Sequence, residues 1–81
     1  MLVMRIHLPP EVINFLRDAA TPPEVRRAIR ALSINPRPPD ALAIPNKPGR
    51  YHLFESGFWI VYDVEQDRSE TVISVRLIEK N

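Results

Sequence analysis

Residues 50–80 read RYHLFESGFWIVYDVEQDRSETVISVRLIEK: three apolar runs rich in β-branched and aromatic residues, broken by two short polar stretches. The runs alternate with period two, the period of a strand, and the breaks are short enough only for hairpin turns. The pattern predicts three consecutive antiparallel strands, Arg50–Phe54, Phe58–Glu65 and Thr71–Glu79. Ser56-Gly57 and the stretch Gln66–Glu70 supply the turns. A meander of this kind needs a second layer to cover its apolar face.

Parity assigns the two faces, because alternate side chains on a strand point to opposite sides. Tyr51 and Leu53, then Phe58, Ile60, Tyr62 and Val64, then Ile73, Val75 and Leu77 share the apolar side and are expected to face the core. The other side carries Arg50, His52 and Phe54, then Trp59, Val61 and Asp63, then Val72, Ser74, Arg76, Ile78 and Lys80. That mixed face is the expected place of any site. It is also what the solvated face of an ordinary antiparallel sheet carries.

The covering layer comes from the first half. Val3–Leu8 alternates as a short strand, ended by Pro9 and Pro10. Val12, Phe15, Leu16 and Ala19 recur at helical spacing, predicting a helix over 11–20. Thr21-Pro22-Pro23-Glu24 has the form of a capping box and starts a second helix, with Val25, Ala28, Ile29 and Leu32 as its buried stripe. Arg26, Arg27 and Arg30 fall off that stripe. Asn35-Pro36 ends this helix. Residues 35–49 hold five prolines and read as a stiff connection pinned by Leu42 and Ile44. The expected architecture is α+β: two N-terminal helices on one face of a small antiparallel sheet, made of a short first strand and a three-stranded meander.

At 81 residues the chain makes one domain, 1–81, with a thin core. It has no cysteine, so disulfides and thiolate chemistry are excluded, and His7 and His52 lie too far apart in sequence to suggest a zinc site. The start, MLVMRIHLPP, lacks the apolar core and small-residue cleavage site of a signal peptide, and no run approaches the ~18 apolar residues of a membrane span. A soluble cytoplasmic chain is the expectation. Net charge is +1, divided as +4 over residues 1–50 (eight basic, four acidic) and −3 over 51–81 (three basic, six acidic). The basic half suits phosphate or an acidic partner, but from charge alone a solvated helix face is the favoured reading.

PPEVRRAIRAL, NPRPP, GRYHLFESGFWIVYDV and TVISVRLIEK, in this order and spacing over residues 22–79, resemble the RelE/ParE superfamily of toxins from bacterial type II toxin–antitoxin modules. The resemblance implies two helices on an antiparallel sheet, no cofactor, and a cognate antitoxin that wraps the toxin. One branch of the family cleaves messenger RNA on the ribosome as a metal-independent endoribonuclease. The other poisons DNA gyrase by binding. In the cleaving branch a 2′-hydroxyl attacks the adjacent phosphate, cations stabilise the growing charge, and a side chain moves the proton. By resemblance the catalytic candidates are Arg50, His52, Arg76 and Lys80. The candidates for binding RNA or a partner are Trp59, Lys47, Arg37, Arg26 and Arg30. Two departures bear on the chemistry. Trp59 stands where the family has an arginine on the scissile phosphate, and Ile78 stands where it has a second one, which leaves open, beside the two branches, a catalytically decayed member acting only by protein binding. Tyr51 and Tyr62 match family aromatics, but parity turns Tyr62 to the core. The terminal tyrosine of some members has no counterpart at Asn81.

Overall fold

The computed structural model describes residues 3–81. The elements run β1 (Val3–His7), α1 (Pro10–Arg17), α2 (Pro23–Leu32), β2 (Leu42–Ala43), β3 (Arg50–Glu55), β4 (Phe58–Gln66) and β5 (Glu70–Lys80). The fold is α+β, with five strands in the order β1-β5-β4-β3-β2. The meander forms as its periodicity requires. Ser56 and Gly57 both adopt positive φ, +51° and +87°, the geometry of a two-residue hairpin whose twist matches its strands. Asp67 shapes the second turn by accepting from the backbone N–H of Ser69 (2.8 Å) and of Glu70 (2.9 Å). Those two bonds hold its carboxyl below the ordinary carboxylate range.

The sheet differs from the expectation in three ways. It is mixed, because β1 runs parallel to β5, with Val3 opposite Glu70 and His7 opposite Ser74. It has a fifth strand, because Leu42 and Ala43 pair with His52 and Tyr51 on the far edge. It also carries a β-bulge. Tyr62 pairs with Val75 while Val61 pairs with Leu77, so Arg76 is the extra residue. Beyond the bulge the parity of β5 reverses. Ile78 pairs with Ile60 and joins the core, whereas Leu77 turns outward and is 43 % exposed.

Both helices cover one face. Val12 from α1 and Val25, Ile29 and Leu32 from α2 close over Leu53, Ile60, Tyr62, Val64, Ile73 and Val75. Phe15 meets Phe58 edge to face at 5.1 Å. Helix α1 ends at Arg17, earlier than its apolar spacing predicts, because α2 supplies its cap. The Arg26 guanidinium donates to the Leu16 carbonyl at 2.7 Å, and the Thr21 hydroxyl donates to that of Phe15. Thr21 therefore caps the end of α1 rather than the start of α2, which begins at Pro23 without a side-chain cap.

Two tyrosines hold the proline-rich connection to the sheet. The buried Tyr62 hydroxyl donates to the Pro36 carbonyl at 2.9 Å, and burial pushes its pKa up to about 12. Tyr51 stacks on Tyr62 at 5.7 Å and accepts from the Arg37 side chain at 2.9 Å. Gly49 closes the connection against β4. Its carbonyl accepts from the Val64 N–H at 2.8 Å, its φ is +79°, and a Cβ there would lie 2.9 Å from the Val64 carbonyl oxygen. Gly49→Ala should therefore cost about 1–2 kcal/mol, read as a fall in thermal midpoint of roughly 5–15 °C. Gly57→Ala, also at positive φ but with open space around it, should cost less.

Candidate functional site

The face opposite the helices carries the side chains that chemistry requires. Register arranges them in rows across the strands. One row is Phe54, Trp59 and Glu79. The next is Leu42, His52, Val61 and Leu77, with the bulged Arg76 beside it. The third is Arg50, Asp63, Ser74 and His7. Alternation on β3 and β4 puts these residues outward because their neighbours Leu53, Ile60, Tyr62 and Val64 are consumed by the core.

The first two rows make an aromatic platform. The His52 ring lies 4.7 Å from Trp59 at 19° between planes, and Phe54 leans on the same indole at 4.9 Å and 60°. The indole N–H donates to the Asn81 side chain at 3.2 Å. Phe54 is 44 % exposed and Leu42 is 56 % exposed, so the platform has an apolar rim open to solvent.

The third row is electrostatic. Asp63 accepts two bonds from Arg50, at 2.7 and 3.2 Å, and one from Arg76 at 3.0 Å. The Arg50 bonds, then Arg76, hold the Asp63 carboxyl below the ordinary range against the opposing effect of burial. The same pair raises Arg50 above its usual value. Two guanidiniums and one carboxylate leave one net positive charge. Arg50 is mostly covered and bound through two nitrogens. Arg76 is half exposed and bound through one, so it keeps most of its five N–H donors for a ligand. Arg76 is thus the more available of the two guanidiniums that hold Asp63.

The structure divides the sequence-derived candidates. Arg50, His52, Trp59 and Arg76 share the outward face. Lys47 borders it, lining a 220 Å³ groove with Arg50 and Asp63. Lys80 does not belong to it: beyond the bulge it pairs with Phe58 and takes the helix-side parity. Arg26 is committed to the end of α1 and Arg37 to Tyr51. Arg30 stands on the helix side, where it and Arg26 line a 290 Å³ groove with Ile6, Leu8, Leu16 and Ile29.

His7 was not among the sequence-derived candidates, yet it stands on the same face. It is exposed, and it lines a shallow 440 Å³ groove with Pro9, Ser74, Val75, Arg76 and Leu77. The apolar parity of Met4, Ile6 and Leu8 already turned His7 outward; the pairing of β1 with β5 was the missing step.

Among the described residues no three His, Asp or Glu side chains gather to hold a metal ion, and no helix is long and apolar enough to cross a membrane. The chain matches no family model, no curated protein and no solved structure.

Proposed function

We propose that this chain is the toxin of a type II toxin–antitoxin module of RelE/ParE type, acting on messenger RNA at the ribosome and held in check by a cognate antitoxin. The observation that carries the reading is the outward face. An aromatic platform of His52, Trp59 and Phe54 lies beside a half-exposed guanidinium, Arg76, on a rigid sheet. Stacking surfaces beside a cation are what single-stranded RNA needs, since each base offers a π-face and each linkage a phosphate. The helix–helix–meander order and the motifs of residues 22–79 support the family.

Pulse labelling after induced expression in growing bacteria tests the reading. Amino-acid incorporation should fall before thymidine incorporation. Trp59→Ala should weaken RNA binding about tenfold to hundredfold, because one base–aromatic stack contributes ~1–3 kcal/mol. A second reading, a toxin that acts on gyrase by binding alone, draws on the pairing of Arg50 with Asp63 and the displacement of Lys80 from the face. An early fall in thymidine incorporation would favour it. Growth with both signals intact would reject a toxin of either kind.

A further inference from the structure

The geometry points to His7, not His52, as the general base of the outward face, acting on a phosphodiester held by Arg76. This inference rests on the RNA reading above and locates its reactive centre.

The two histidines occupy different surroundings. His52 lies on β3 with its ring flat against Trp59, where it forms part of a stacking surface. His7 lies on β1, three strands away, and strand spacing separates the two backbones by roughly 14 Å. One phosphodiester does not bridge both rings at hydrogen-bond distance. No hydrogen bond or ion pair engages the His7 ring among the described residues, and its groove is shared with Arg76 and Ser74. The bulge matters here. It adds Arg76 to β5 two residues after Ser74, the partner of His7, and the guanidinium reaches Asp63 on the outward face.

The charged groups around His7 are few. Arg76 and Glu70 come from β5, and Arg5 comes from β1, bonded to Glu70 at 3.2 Å. Asp63 lies one strand further, already held by Arg50 and Arg76. Glu11 of α1 lines the groove on the other side of Arg76. A phosphate on the His7 side of Arg76 therefore meets the imidazole and the guanidinium, while the Asp63 carboxylate holds that guanidinium from the β4 side at 3.0 Å.

The step balances without a co-reactant. The imidazole takes the proton of the 2′-hydroxyl, and the 2′-oxygen bonds to phosphorus. The bond from phosphorus to the 5′-oxygen breaks, and that oxygen takes a proton from water. The products are a 2′,3′-cyclic phosphate and a free 5′-hydroxyl. Arg76 stabilises the charge on the non-bridging oxygens. The platform of His52, Trp59 and Phe54 holds a neighbouring base.

Two measurements on the full chain test this. First, proton NMR follows both imidazole Cε1–H signals during titration with a 2′-O-methyl RNA trinucleotide, which binds but cannot react. His7→Ala assigns the signals. The His7 signal should shift, and Arg76→Ala should abolish the shift. Movement of the His52 signal alone would overturn the proposal while leaving the RNA reading in place. Movement of neither would reject both. Second, cleavage of ribosome-bound messenger RNA is followed against pH. His7→Ala should lower the rate 10²- to 10⁴-fold, flatten its rise with pH, and respond to added imidazole. His52→Ala should weaken binding but keep the pH profile. A His7→Ala variant with the parent's rate and profile would overturn the assignment. A parent protein whose His7 signal moves but which leaves RNA uncut would do the same.

Discussion

Ile60→Ala is expected to lower stability by about 3–4 kcal/mol, the largest loss from any single truncation considered. Ile60 is fully buried at the centre of β4, between Leu53 on β3 and Ile78 on β5. Three methylene-sized groups vanish from a site where sheet pairing fixes the backbone on both sides, so the cavity cannot collapse. A domain of this size has a total stability of only about 4–12 kcal/mol. The thermal midpoint should fall by roughly 15–25 °C. A denaturant midpoint unchanged from the parent would mean that the two-layer core is not what holds this chain folded. Leu77→Ala is the matched control: it is a residue of similar size on the same sheet, but the bulge has turned it outward, and its loss should stay under about 1 kcal/mol.

Asp63→Ala should destabilise by about 2–3 kcal/mol and, in the same variant, strengthen binding to polyanions. The carboxylate is 18 % exposed and accepts three bonds from two guanidiniums, so its removal leaves the mostly covered Arg50 without a partner. Arg76→Ala, by contrast, removes a half-exposed group held by one bond and should cost less than about 1 kcal/mol. The pH dependence follows from the depressed Asp63 carboxyl. Its contribution is complete above the ordinary carboxylate value, about 4, and is lost as pH falls through the lower folded value. The stability gap between parent and Asp63→Ala should therefore close under acid. On the binding side, the Arg50–Asp63–Arg76 cluster changes from one net positive charge to two. Retention on heparin should increase, and a decrease would show that Asp63 organises Arg76 for binding rather than neutralising it.

The meander was legible because two signals agree there: alternation fixes the strands and a glycine-bearing turn fixes the register between β3 and β4. The parity of β4 read the core correctly at Ile60, Tyr62 and Val64. It failed at Leu77, Ile78 and Lys80. A bulge at Arg76 leaves no mark on the sequence, because Leu77 and Ile78 stand side by side and either one offers the core a branched side chain. Leu42 and Ala43 were hidden among prolines, and two residues carry no period. The role of Arg26 was hidden for a different reason. A guanidinium off the apolar stripe reads as solvated until a second helix ends within its reach. The outward face was legible from parity, through Arg50, His52, Trp59 and Arg76. Its extension to His7 was not, because β1 and β5 meet only in the folded sheet.

That meeting has a consequence for the order in which the protein comes into being. Val3–His7 find their partners only in Glu70–Ser74, almost a whole chain length later. During synthesis the helices and the first hairpin have all their residues well before β1 has anything to pair with. The groove between His7 and Arg76 cannot exist on a nascent chain until residues 70–76 have emerged from the ribosome. A nascent chain short of residue 76 therefore carries the helices and the first hairpin but lacks the β1–β5 edge of the outward face.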